Sequence, residues 1–264
     1  MEVILLAIVT FIFAIDQFSL TEVAYRPMVA CPIIGAILGD VQTGLVIGGT
    51  YELMMIGNMP IGGAQPANAV LGAICAMIFA VKAGMDIEAA LGAAVIFSTF
   101  GTYVVTLVFT IASGFNAMAD ESASRADIKG VNKAMWAHYI LLGGCFAVIA
   151  VLALVAGEAM KAPLENIAKN ASWFMGGLSA AGGMMRYVGF GVLMKIMMSN
   201  EMWGFYLAGF AFALIVGNIE ALAGATLLIV AFIGFAIAYN DYLVNVKIKN
   251  STANVSMGGV SDGI

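Results

Sequence analysis

The sequence predicts an all-α polytopic membrane protein with broken helices and re-entrant hairpins, arranged as two pseudo-symmetric halves. Three observations predict it. Ala89 through Ala119 runs for 31 residues without a formal charge, and about 18 suffice to cross a hydrocarbon layer roughly 30 Å thick. Of the 264 residues, 62% are hydrophobic and only 10% charged, against about 25% charged in an ordinary soluble domain. Glycine and proline interrupt apolar sequence in both halves, and in transporters such interruptions mark helices broken around a substrate cavity.

The elements follow in order. The apolar stretch before Asp16 carries Glu2 where a secretory leader needs basic residues, and it reads as a retained first membrane segment. A polar patch from Asp16 to Arg26 leads to Pro27 and Pro32, then to Gly35, Gly39 and Asp40, an irregular segment of the kind a re-entrant hairpin requires. Val41 to Gly57 resumes as a short segment. Leu53 to Val81 counts as a span by charge, although Asn58 to Ala69 within it is irregular. Ala89 to Thr110 is a further span, leading to Asp120, Glu121, Arg125, Asp127, Lys129 and Lys133. The Lys and Arg of this connection, 114–135, favour the cytoplasmic side. Tyr139 to Gly157 is the next span, and Glu158 to Asn170 reads as a short amphipathic connection. Gly176-Gly177, Gly182-Gly183, Gly189 and Gly191 are expected to break the stretch before Lys195. Met202 to Ile219 and Ala221 to Asn240 are the last two spans. The division is thus one transmembrane domain over 1–250, with halves at 1–113 and 136–240, and a polar tail over 241–264.

Composition also excludes several functions. Eleven Lys plus Arg against sixteen Asp plus Glu, without a basic block, give no nucleic-acid footprint. Cys31, Cys75 and Cys145 stand singly in apolar sequence, which fits neither a disulfide framework nor a zinc site. His138, the only histidine, sits beside Trp136 and Tyr139 as an interfacial residue would. Gly48-Gly49-Thr50 lacks the Lys and Ser/Thr of a phosphate-binding loop. No cofactor is expected, and no catalytic residue. Energy must come from an ion gradient or from another polypeptide.

A carboxylate within membrane sequence costs a few kcal/mol, so it normally faces a polar cavity or holds a specific partner. Glu52 is such a case, with Asn58, Gln65 and Asn68 following it in otherwise apolar sequence. Acceptors and donors in fixed positions beside apolar walls are what a sugar ring requires. For Glu52 the alternatives are substrate contact or a clamp between helices; for Gln65 and Asn68, substrate contact or stabilisation of the turn around Gly62-Gly63 and Pro66. Asp16, Glu22 and Arg26 read as an interfacial or intramolecular salt-bridge cluster. With Asp40 and Arg186 they form a set of structural or gating candidates, Arg186 facing either an interface or the cavity.

The ordered set Arg26-Pro27, Gly39-Asp40, Thr43-Gly44, Gly48-Gly49-Thr50-Tyr51-Glu52-Leu53, Gly57 and Pro60-Ile61-Gly62-Gly63-Ala64 resembles the IIC component of the mannose/fructose/sorbose family of bacterial phosphotransferase systems. Gly177 to Met184 and Val188 to Gly191 extend the resemblance to the second half. It implies a multi-pass subunit of the bacterial cytoplasmic (inner) membrane that binds and reorients a sugar, pairs with a IID membrane subunit as a trimer of heterodimers, and works with cytoplasmic IIA and IIB. The phosphoryl donor would be a phosphohistidine of IIB. Where mannose-type members tend to read Ala-Pro-Asp, this chain has Gln65-Pro66-Ala67-Asn68. That segment and Ser261-Asp262-Gly263-Ile264 look closer to the galactosamine and N-acetylgalactosamine branch. Two other functions fit the same composition: an ion-coupled secondary transporter, and a structural or receptor subunit that binds no sugar.

Overall fold

A computed structural model describes residues 1–58 and 66–257. All regular structure among them is helical: α1 (Glu2–Ser19), α2 (Pro27–Leu38), α3 (Val41–Met55), α4 (Ala69–Val81), α5 (Ile87–Ser124), α6 (Ile128–Asn170), α7 (Ser172–Met197), α8 (Trp203–Gly217) and α9 (Thr226–Met257), with single 3-10 turns before α8 and α9. Among the described residues, five stretches are long and apolar enough to cross a membrane: Glu2–Ser19, Ile87–Ser124, Ile128–Ala159, Asn200–Gly217 and Thr226–Lys249. The fold is an all-α, multi-spanning helical bundle. Its contact pattern is that of two related halves, with a contacting helix pair in each, α2 with α3 and α8 with α9.

The chain divides into two compact units, Met1–Met197 and Met198–Ile264. The first is built around α4, in which every residue from Val70 to Phe79 is buried. A helix apolar on all sides must be covered on all sides, and α2, α3, α5 and α6 pack around this one. Leu6, Ile34, Ile47, Tyr51, Leu142 and Phe146 complete its core. The second unit consists of α8 and α9, which contact each other.

α2 and α3 form the predicted hairpin. At 12 residues, α2 spans about 18 Å at 1.5 Å per residue, well short of a bilayer core. Pro27 occupies its first turn, where a missing N–H costs nothing. Gly39 closes α2 at φ +90°, a left-handed conformation that a side chain resists. Asp40 then caps α3, accepting from the Thr43 N–H at 2.9 Å and the Thr43 hydroxyl at 2.6 Å. The helices touch backbone to backbone: a Cβ at Gly44 would stand 2.7 Å from the Cys31 carbonyl oxygen, and one at Gly48 2.6 Å from that of Pro27.

Several boundaries differ from the sequence expectation. Leu53 to Val81 is not one span; α3 stops at Met55 and α4 starts at Ala69, so the irregular stretch outweighs the missing charge. The glycines before Lys195 do not break α7, which is continuous from Ser172 to Met197. They serve as contact points instead: Gly182 lies against the Glu88 carbonyl of α5 and Gly189 against that of Leu53 in α3. Small residues in lipid favour such close crossings as readily as breaks. The polar connection after α5 is shorter than expected, because α5 continues to Ser124 and α6 begins at Ile128. Glu158 to Asn170 is the end of α6, and α9 carries the polar tail in helical form to Met257.

Candidate functional site

A polar cavity of about 330 Å3 opens in the first unit where the α1–α2 turn meets the end of α3 and the segment leading into α4. Its size falls in the roughly 300–1,000 Å3 range of small-molecule pockets. Gln17, Glu22, Tyr25, Arg26, Glu52 and Asn58 supply polar groups to its wall, and Phe18, Pro27, Met55, Ile56 and Pro66 supply apolar surface.

The α1–α2 turn is built around Asp16. This carboxylate, 2% exposed, accepts from the Thr21 N–H at 2.9 Å, the Thr21 hydroxyl at 2.8 Å and the Tyr25 N–H at 3.0 Å. The turn passes through Glu22 at φ +56°, a conformation few non-glycine residues adopt. Arg26 follows as the residue that precedes α2. Burial raises the Tyr25 phenol above its ordinary pKa, so Tyr25 stays a neutral hydroxyl that can both donate and accept.

Arg26 forms an intramolecular salt bridge, but with neither Asp16, whose oxygens accept from the turn, nor Glu22. Its guanidinium reaches 26 residues along the chain to Glu52 instead: Nε donates to Oε1 at 2.7 Å, and a terminal nitrogen donates to the same oxygen. The Met28 N–H donates to the other oxygen at 3.3 Å. The Glu52 side chain is only 16% exposed while that of Arg26 is 52% exposed. A half-buried carboxylate is thus neutralised from one side, and the open face of the guanidinium keeps donors for a ligand.

Asn58 also lines the cavity, its amide nitrogen 2.8 Å from the Met55 sulfur. Asn68, 3% exposed, stands behind the wall. It caps α4, with Oδ1 accepting from the Leu71 N–H at 2.9 Å, and its Nδ2 donates to Gln17 Oε1 at 3.1 Å. α5 pins this segment: the Ser98 hydroxyl donates to the Asn68 carbonyl at 2.8 Å, the Asn68 N–H to the Ser98 carbonyl at 2.9 Å, and the Thr102 hydroxyl to the Pro66 carbonyl at 2.9 Å. Gln65 lies outside the described residues, with the rest of 59–65.

Two remaining candidates are elsewhere. Asp40 sits at the tip of the α2–α3 hairpin as a cap. Arg186 donates to the Gly183 carbonyl at 3.0 Å and faces Glu88 at 3.4 Å, holding α7 to the start of α5. His138 stacks on Phe109, their ring centres 5.9 Å apart, and does not line the cavity. Sequence reasoning missed Gln17 and Tyr25, although both fall inside the polar patch it marked between Asp16 and Arg26. No grouping of metal-ligating side chains occurs among the described residues.

Comparison with known proteins gives a consistent picture. The family described as "PTS system sorbose-specific iic component" matches residues 1–240. The N-acetylgalactosamine permease IIC component 1 of Escherichia coli (strain K12) is 34% identical over 208 residues, covering 78% of this chain and 77% of that protein. The fructose permease IIC component of Bacillus subtilis (strain 168) is 30% identical over 215 residues, 81% of this chain and 78% of the relative. Among solved structures, a chain described only as a membrane protein superposes with a TM-score of 0.72 at 28% identity, over 90% of this chain and 97% of its own. A chain from the cryo-EM complex of the mannose transporter ManYZ with microcin E492 gives 0.58 at 26% identity, over 89% and 94%.

Proposed function

Since the chain belongs to the sorbose-type IIC family of phosphotransferase-system (PTS) membrane subunits, we propose that the Arg26–Glu52 cavity is its sugar site. The chain is a multi-pass, sugar-translocating subunit of the bacterial inner membrane. The substrate we propose is an amino sugar, N-acetylgalactosamine or galactosamine. The N-acetylgalactosamine permease component at 34% identity supports that choice.

One observation carries the reading: a carboxylate set in apolar sequence is held by a guanidinium at the wall of a monosaccharide-sized cavity. The carboxylate accepts from sugar hydroxyls, the guanidinium, the Tyr25 hydroxyl and the Asn58 amide donate to them, and Phe18 and Pro27 meet C–H faces. Gln65, which directly precedes the lining residue Pro66 in sequence, stays a candidate in this proposal. The proposed partners are a IID membrane subunit, in a trimer of IIC–IID heterodimers, and cytoplasmic IIA and IIB. The similarity to a chain of the ManYZ complex supports such an assembly. In the phosphoryl step a sugar hydroxyl attacks the phosphorus of the IIB phosphohistidine, the N–P bond breaks, and the hydroxyl proton ends on the freed imidazole. This chain's part is to bind the sugar and to turn that hydroxyl toward IIB.

Glu52→Gln tests the site. It keeps the shape, removes the charge and leaves Arg26 without its counter-ion. Titration calorimetry of the purified complex with N-acetylgalactosamine should show affinity lower by about 10- to 100-fold, the range of a charged hydrogen bond, with assembly intact by gel filtration. Unchanged affinity would remove Glu52 from the site. Uptake by this chain alone in vesicles with an ion gradient and no phosphoryl donor would point to an ion-coupled transporter instead.

A further inference from the structure

From the hydrogen bonds behind the cavity wall we infer that Gln17 is a specificity-determining donor whose polarity is set by Asn68, so that the site takes an N-acylated sugar over its free ammonium form. This inference rests on the reading of the cavity as the sugar site. Asn68 acts through Gln17 and is a positioning residue.

A backbone N–H can only donate, so the Asn68 atom 2.9 Å from the Leu71 nitrogen is the carbonyl oxygen Oδ1. The other end of that amide is therefore NH2, a group that cannot accept. Its neighbour at 3.1 Å on Gln17 must then be Oε1. With its oxygen engaged, Gln17 has Nε2 as its free end; that atom has no partner among the described residues, and the side chain stands in the cavity wall. The chain of hydrogen bonds begins at a main-chain group and admits one orientation at every step. Asn68 is held in turn by Ser98 from both its N–H and its carbonyl, and a Cβ at Gly101 of α5 would stand 2.8 Å from the Asn68 Cβ. The relay has little room to turn over.

A fixed NH2 in the wall accepts nothing. It pairs with an uncharged oxygen, such as the carbonyl of an N-acetyl group, and it repels a protonated amine, which brings hydrogens only. Polar groups left unpaired in a site discriminate strongly between analogues. Of the two carboxylates in the wall, Glu52 is neutralised by Arg26, while Glu22 keeps its attraction for an ammonium, so the preference set by Gln17 is read on a Glu22→Gln background as well.

Two substitutions reverse the polarity by different routes. In Gln17→Glu one carboxylate oxygen accepts from Asn68 and the other faces the cavity. In Asn68→Asp one oxygen keeps the Leu71 cap, since Asp caps helices as well as Asn, and the other turns Gln17 around so that its oxygen faces the cavity. Calorimetry on the full-length chain, purified with its membrane partner and titrated at about pH 6.5 with N-acetylgalactosamine and with galactosamine, reads the result. Each variant should bind N-acetylgalactosamine roughly 10-fold more weakly and shift the preference toward galactosamine. On a Gln17→Leu background, Asn68→Asp should add no further loss, because its effect passes through Gln17. A loss that persists on that background, or an unchanged preference in Gln17→Glu while Glu52→Gln still weakens binding, overturns the inference and leaves the cavity standing. Full binding in Glu52→Gln as well would remove both.

Discussion

The carboxylate of Asp16 is buried, and both its oxygens are committed to the turn that follows α1. Asp16→Asn keeps one acceptor oxygen for Thr21 but sets an NH2 against the Tyr25 N–H, two donors face to face. Loss of that bond should cost about 1–3 kcal/mol, visible as a lower melting temperature of the purified complex. Sugar affinity should fall with it, because Tyr25 and Arg26 leave the turn as cavity residues; an unchanged melting temperature and affinity would show that Asp16 does not hold the turn. At this scale the sequence was legible wherever a charge stood in apolar surroundings, since the cost of burying it is local knowledge. Glu52 stands out that way. Its pairing with Arg26 does not, because a contact across 26 residues is a tertiary fact and Asp16 and Glu22 are nearer in sequence. The sequence leaves Asn68 as a ligand group or a turn stabiliser, and its contacts are those of a helix cap. Gln17 carried no signal of its own, one neutral amide beside a charged residue.

Element by element, glycine decides which helices can approach. Gly48 and its neighbour Gly49 look identical in sequence, yet a Cβ at Gly48 would enter the α2 backbone while one at Gly49 meets nothing within 4 Å. Gly48→Ala should therefore force α2 and α3 apart and lower both the melting temperature and the yield of folded complex. Gly49→Ala should be tolerated or slightly stabilising, since alanine favours a helix by about 1 kcal/mol over glycine. Equal behaviour of the two variants in a thermal-stability assay would contradict the hairpin packing. The same ambiguity explains the misreading of α7. Glycine rows signal close approach and helix breaks alike, and only the neighbour against Gly182 and Gly189 distinguishes the two. The α2–α3 hairpin was easier, because Pro27, Gly39 and Asp40 each carry a positional meaning at a helix start, a helix end and a cap.

For the whole molecule, five of the six spans expected from composition are long apolar helices and Leu53 to Val81 is not, while their orientation depends on where charge collects. The turn at Arg125 to Asp127, with Lys129 and Lys133 beyond it, is the basic end of α5 and α6, and the positive-inside rule predicts a cytoplasmic position for it. Cys31 and Cys75 are buried and Cys145 is half-buried, so the native thiols compete little for a water-soluble reagent. A Ser124→Cys chain should react with a membrane-impermeant maleimide in inverted vesicles and stay unlabelled in intact spheroplasts. The opposite pattern would reverse the orientation of the first unit. Helix lengths were less legible than their existence, since polar residues after Thr110 and after Gly157 continue the helices beyond the lipid-compatible stretch.

The ion pair of the cavity is internal to one hairpin: Arg26 starts α2 and Glu52 belongs to α3, and the two helices are locked along Gly44 and Gly48. Gln17 and Asn68 belong to α1 and α4. A molecule bridging the cavity would meet a charged pincer on one side and a neutral anvil on the other, and because α2 and α3 pack on α4, both jaws rest on one core.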